Sequence, residues 1–238
     1  MESQTIDPCS LLGKTLDSIW PIYFPLLVIS SPTYLINIAS ITLLLPSSPS
    51  ISVILLIIGG LTYPLLFGTQ VLYIHRYFTQ TSGIREIISQ LLEKFVLLIL
   101  TQIIVYLIVF FGMILLLFPG FYMSVRLFFS LYGTVLESET DGISSSWELT
   151  KGHWWSIFFA LLSVGFIIAI VSWVLSLFLD PILSGIVSSS SIQQENLLII
   201  QQFFRNFLMH PFAVVYGYLL YMELKEINEL NKWYKENN

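Results

Sequence analysis

From Phe95 to Phe118 the chain runs 24 residues without a charged side chain, and from Trp154 to Leu179 it runs 26 more. About 20 apolar residues in a helix match the thickness of a bilayer's hydrocarbon core. The whole chain shares this character: of its 238 residues, 55% are hydrophobic and 11% charged, with a mean hydropathy of +0.81. A soluble domain carries about 25% charged residues. The sequence therefore predicts an all-α, polytopic integral membrane protein. At about 20 residues per span the chain has room for six or seven spans, but none for a separate soluble catalytic domain of ordinary size.

Residues 1–18 are polar, and we expect them to be disordered or interfacial. Six spans are expected, at about 20–45, 51–74, 95–118, 121–136, 155–179 and 197–221. Pro21 suits a helix start, while Pro25 and Pro32 are expected to kink or divide span one. Gly60, Pro64 and Gly68 recur every four residues in span two, as either a groove for a neighbour or ordinary close packing. Before span three, Ile84, Ile87, Ile88, Leu91, Leu92 and Phe95 form one apolar helical face opposite Arg85, Glu86, Gln90, Glu93 and Lys94. That pattern predicts an amphipathic helix on the membrane surface. Pro119-Gly120 is expected to be the corner between spans three and four. Asp180-Pro181 is expected to end span five. Residues 222–238 read as a cytoplasmic amphipathic tail.

Lys14, Arg76, Arg85, Lys94, Lys151, Lys225, Lys232 and Lys235 all fall in connections on one side of a six-span topology, and the connections on the other side hold no Lys or Arg. The positive-inside rule then places both termini in the cytoplasm. We expect a multi-pass protein of a prokaryotic plasma (inner) membrane. The net charge of −5 and pI near 5.1 offer no basic surface for nucleic acid. Cys9 is the only cysteine and cannot form an intramolecular disulfide. The N-terminus lacks the basic flank and short apolar core of a cleaved signal, so span one is expected to be retained.

Two arginines, Arg126 and Arg205, lie inside the expected spans four and six. An arginine at mid-bilayer is disfavoured by about 2.5–3.5 kcal/mol on insertion scales. No Asp or Glu lies mid-span to neutralise them, and the topology gives both a similar depth in the outer half. They therefore form a shared site for a lipid phosphate or other anion, with Gln201, Gln202 and Asn206, or each snorkels to headgroups and helix-end carbonyls. His210 is a proton relay or a partner for the carbonyl freed by Pro211. Gln70 and Gln102 are expected to make interhelical hydrogen bonds. Catalytic, metal and cofactor constellations are not expected: there is no Gly-rich phosphate loop, HExxH, CxxC or GxSxG, and His75, His153 and His210 are scattered.

One stretch is more specific. Gly112, Pro119, Gly120, Arg126 and Glu137 are followed by Ser146, Trp147, Leu149, Thr150, Lys151, Gly152 and Trp155. This pattern resembles the membrane domain of the glycerophosphoryl diester phosphodiesterase family and related bacterial multi-helix membrane proteins. The resemblance covers about residues 85–175. The stretch between Glu137 and Trp147 is shorter than the family's, with Ser144 and Ser145 where relatives often carry bases. The soluble barrel that carries the phosphodiesterase activity in some relatives is not among these residues. The resemblance therefore implies a membrane module without that activity. The leading expectation is a non-enzymatic scaffold or accessory module that contacts membrane lipids, a membrane-protein partner or a second copy. The alternative is a small transporter or lipid-handling protein using an anionic site in the outer half of the membrane.

Overall fold

The computed structural model of the chain describes residues 6–40, 48–80, 84–137, 141–187 and 194–237. The described residues are all-α and 93% helical, with no strand among them. The helices are α1 (Pro8–Ile38), α2 (Pro49–Thr79), α3 (Ile84–Glu93), α4 (Phe95–Leu115), α5 (Leu117–Arg126), α6 (Ser130–Leu136), α7 (Gly142–Leu149), α8 (Trp154–Val187) and α9 (Gln194–Asn237). Five of them, α1, α2, α4, α8 and α9, are long and apolar enough to cross a membrane.

The helix ends depart from the sequence expectations for identifiable reasons. Helix α1 starts at Pro8, so residues 8–18 are helical. Asp7 accepts the Cys9 N–H at 3.0 Å and Pro8 fills the first turn, an arrangement that satisfies an orphan donor and uses proline where its missing N–H is harmless. Pro21, Pro25 and Pro32 all lie within this one helix. At Pro32 the carbonyl freed four residues back, Val28 O, accepts the Ser31 hydroxyl at 2.9 Å. Side-chain hydroxyls can replace a lost ladder bond in this way. Residues 41–45, the expected end of span one, lie outside the described residues. His75 and Arg76 belong to α2 rather than to a connection.

The expected corner at Pro119-Gly120 is one turn too late. Leu116 is extended, with φ −161° and ψ 139°, and separates α4 from α5. Pro119 is the third residue of α5, where no intrahelical donor is required. Gly120 instead provides the contact between the two helices. A Cβ on Gly112 would sit 2.8 Å from Gly120 Cα, and a Cβ on Gly120 would sit 2.5 Å from Met113 N. The expected span 121–136 is not one helix. It divides at 127–129, where turns separate α5 from α6. At the other end, Asp180-Pro181 does not stop α8, which runs on to Val187. Span six and the tail are one helix, the 44-residue α9. At 1.5 Å per residue it is about 66 Å long, well beyond the roughly 30 Å hydrocarbon core.

The central core is made by α1, α2 and α9, with Ile22, Leu26, Ile74, Leu220 and Leu224 wholly buried. The α1 face that meets α9 carries Tyr23, whose hydroxyl donates to Leu208 O at 2.8 Å. Gln70 of α2 donates to Leu26 O at 3.0 Å and meets His210 Nε2 at 3.0 Å. One side chain thus ties three helices together, and Gln70 acts as the expected interhelical partner. Helix α8 packs on α9, where Tyr216 donates to Ala160 O at 3.0 Å. The α3 face is only half used: Ile87 and Leu91 are buried, but Ile88 and Leu92 are exposed.

Candidate functional site

The break at 127–129 and helix α7 form one structural unit, joined by Arg126, Ser146, Trp147 and Thr150. Gly133 and Gly142 let α6 and α7 approach closely. A Cβ on Gly133 would lie 3.0 Å from Ser145 Oγ, and one on Gly142 would collide with Ser130 O and Thr134. Asp141 caps α7, accepting the Ser144 N–H at 2.6 Å. With α7 seated, Ser146 bridges the break. Its hydroxyl donates to Arg126 O at 2.7 Å and accepts the Phe129 N–H at 3.2 Å. These are backbone groups that the break would otherwise leave unpaired.

Arg126 is itself buried, at 7% exposure. Its guanidinium donates to Trp147 O at 3.1 Å and to Thr150 Oγ1 at 3.0 Å. It lies 4.4 Å from the ring centre of Trp147 and 5.6 Å from that of Tyr122. Aromatic faces carry negative charge density and stabilise a desolvated cation. Trp154 stacks on Tyr122 and donates to Tyr122 O at 3.3 Å, so the start of α8 is fixed to the same unit. Gly152 makes the turn between α7 and α8 with φ +83°, a backbone region that favours glycine. Lys151 and Trp155 are exposed and take no part in the arginine contacts.

Arg205 has a different partner. Its guanidinium contacts both carboxylate oxygens of Asp180, at 2.7 and 3.0 Å. Gln201 is buried and donates to Asp180 O at 3.2 Å, while Gln202 accepts from Arg205 at 3.4 Å. Asn206 is exposed and outside this cluster. Asp180 was missed in the sequence because it was placed at a helix end; the continuation of α8 puts it inside, opposite α9. Arg126 binds Thr150, just before α8, and Arg205 binds a residue 26 positions after Trp154 along α8. At 1.5 Å per residue those places are about 39 Å apart. The structure therefore does not bring the two arginines into one site. The equal depth inferred from sequence counted Arg126 from a span start at 121, whereas α5 begins at Leu117.

Glu137 ends α6 and holds a third cluster. It accepts the Tyr221 hydroxyl at 2.7 Å and lies 3.6 Å from Lys225 Nζ. Lys94 donates to Thr134 O, Val135 O and Glu137 O at 2.9, 3.0 and 2.6 Å. These are the orphan carbonyls of the α6 C-terminus, where a cation is favoured. Burial pushes the Lys94 pKa down, and the Glu137 and Glu93 carboxylates oppose that shift. The sequence assigned Lys94 to an amphipathic face and to the positive side of the topology, with no partner. Its spacing from residues 134–137 is long-range and left no local signal.

Beside the broken helix lies a lateral cleft of about 380 Å³. Its walls come from α2, α4, the α5–α6 break and α9, with Tyr63, Gln102, Tyr106, Phe128 and His210 among them. The expected hydrogen-bonded role of His210 toward a proline-freed carbonyl is replaced by its contact with Gln70. Gln102 was expected to bond between helices, yet it has no hydrogen-bond partner among the described residues. No group of three or more His, Cys, Asp or Glu residues suited to a metal ion occurs among the described residues. Compared with family models, curated proteins and solved structures, the chain matches none of them.

Proposed function

We propose that the protein is a non-enzymatic membrane module of a prokaryotic plasma membrane, a scaffold or accessory unit in contact with lipid and with a membrane-protein partner or second copy. In this reading α5 and α6 together make a sixth crossing, as a broken helix beside α4. Both termini are cytoplasmic, and α3 lies on the cytoplasmic surface. The likeness of the Gly112–Trp155 stretch to the phosphodiesterase membrane-domain family agrees with a module that carries no catalytic barrel.

One observation carries the choice of scaffold over anion transporter: both arginines within the apolar segments are committed to internal partners. Arg126 holds Trp147 O and Thr150 through Nη1, with its buried Nε left unpaired, and Arg205 holds Asp180. An anion moving through the protein would have to displace those contacts. Meanwhile α4 and α8 present long apolar faces, with Leu107, Phe110, Phe166, Trp173 and Phe178 exposed, as lipid- or helix-facing surfaces are.

The test is reconstitution of the full chain into proteoliposomes loaded with phosphate, chloride or an anionic fluorescent lipid. The scaffold reading expects flux equal to that of protein-free vesicles. Protein-dependent anion flux abolished by Arg126→Gln or Arg205→Gln would replace it with the transporter reading. Single cysteines placed at each terminus of a Cys9→Ser background should label only from the cytoplasmic face in intact cells.

A further inference from the structure

We infer that the cleft beside the broken helix is a binding site for an uncharged single-chain lipid, with its hydroxyl or ester head at Gln102 and its tail against Gly60. This rests on the reading of the chain as a membrane module and names the lipid it takes up.

Gln102 is the first reason. Its side chain is 7% exposed, on the buried face of α4. The amide has two donors and an acceptor oxygen, and no described residue satisfies any of them. The residue is nearly covered, yet its amide opens onto the cleft rather than onto a protein partner. Gln70, buried deeper still, is engaged at both amide ends, with Leu26 and His210. Gln102 instead lines the cleft. The adjoining wall on α6 holds Ser130, whose buried hydroxyl also lacks a partner.

The second reason is the shape on either side of Gln102. Gln102 and Tyr106 line both the 380 Å³ cleft and a neighbouring hollow of about 200 Å³ against α2. Apart from these two, that hollow is lined by Ile, Leu, Pro and Gly. Gly60 sits in it with nothing within 4 Å of where a Cβ would be. The stripe Gly60–Pro64–Gly68 therefore splits in role. Gly68 is packed by Leu91, Leu98 and Val135, whereas Gly60 leaves space. A polar head and an apolar tail thus have separate, adjacent places.

Charge fixes the class of ligand. No Lys, Arg, Asp or Glu lines either space. A phosphate or free carboxylate would enter a low-dielectric site without a counter-ion, which is strongly disfavoured. An ester or hydroxyl would be matched by the Gln102 amide and by the Tyr63 hydroxyl at the same cleft. The route is sideways from lipid, since Ile103, Leu107 and Phe110 on the adjacent α4 surface are exposed.

The test uses the purified full chain in phosphatidylcholine nanodiscs with a diazirine- and alkyne-tagged monoacylglycerol. We expect light-dependent labelling of peptides from α2 and α4, competed by untagged monoacylglycerol. Gln102→Leu should lower labelling by about fivefold, the equivalent of one net hydrogen bond of about 1 kcal/mol. Gly60→Leu should block the tail and lower labelling with thermal stability unchanged. Equal labelling of wild type and both variants, or labelling confined to other helices, overturns the proposal. Stronger labelling by a tagged lysophosphatidylglycerol overturns the uncharged class. Anion flux in the proteoliposome experiment would instead overturn the scaffold reading and leave a labelled cleft standing.

Discussion

Arg126 donates to the backbone carbonyl of Trp147 while its guanidinium lies 4.4 Å from the centre of the same residue's ring. One side chain thus grips α7 by both backbone and aromatic face. Removing it takes the charged donor away from the Trp147 carbonyl and the Thr150 hydroxyl, which keeps its own bond to Ser146 O at 2.8 Å. Arg126→Gln should lower stability by about 2 kcal/mol, in the range for hydrogen bonds to charged groups. Arg126→Lys should not restore it, because an ammonium lacks the planar guanidinium that stacks on the Trp147 ring. Thermal unfolding in mild detergent checks both. A double-mutant cycle with Trp147→Leu should give a coupling of about 1 kcal/mol; a coupling near zero would remove the ring from the account.

The α4–α5 hairpin depends on two glycines in mutual contact. Gly120→Ala brings a methyl group to 2.5 Å from Met113 N, and Gly112→Ala to 2.8 Å from Gly120 Cα. Both obstacles are backbone, so the helices must separate. Each substitution should cost about 1–3 kcal/mol, as overpacking does. Gly60→Ala, in open space, should be tolerated. Comparable melting temperatures for all three variants would contradict the hairpin.

Arg205 and Asp180 should behave as a pair. Asp180→Asn leaves a cation between apolar helices, and Arg205→Gln leaves an anion. The pair is partly buried, with side chains 18% and 33% exposed, and breaking such a pair from one side is more damaging than replacing both partners. The double variant Asp180→Asn/Arg205→Gln should therefore be more stable than either single variant. If the double loss equals the sum of the single losses, the pair is uncoupled.

His153 precedes α8, outside the membrane-spanning segments, and burial lowers its pKa from 6.5. The unfolded chain then takes up the proton at higher pH than the folded one. Between the two values the unfolded state binds more protons, so stability falls as pH drops below about 6.5 and levels off below the folded pKa. His153→Gln should remove this contribution. The checking measurement is the unfolding midpoint at pH 7.5, 6.5, 5.5 and 4.5 for both proteins. An identical pH slope in the variant would remove His153 from the acid response.

Much of the fold was legible because local sequence carries it. Apolar runs free of charge specify helices in lipid, and α1, α2, α4, α8 and α9 are where those runs are. Of the Ser146–Trp155 stretch, Ser146, Trp147 and Thr150 contact Arg126, while Lys151 and Trp155 do not. What failed was punctuation. Pro119 reads as a corner, yet a proline in the first turn of a helix breaks nothing, and the bend falls on Leu116. Asp180-Pro181 reads as a stop, yet α8 passes through.

By itself the sequence determined the class of object, because hydropathy and length are properties of segments taken alone. It also determined which residues are unusual, since an arginine in an apolar run stands out without any partner in view. Only the tertiary structure decided what those residues touch. Arg126 meets residues 21 and 24 positions away, Arg205 one 25 away, and Lys94 caps a helix some 40 positions on. Such pairings depend on where helices cross and break, and periodicity within one helix carries no information about its neighbour. The same limit hid Gln102: two glutamines on apolar helices look alike in sequence, and packing alone gave one a partner and left the other facing a cleft.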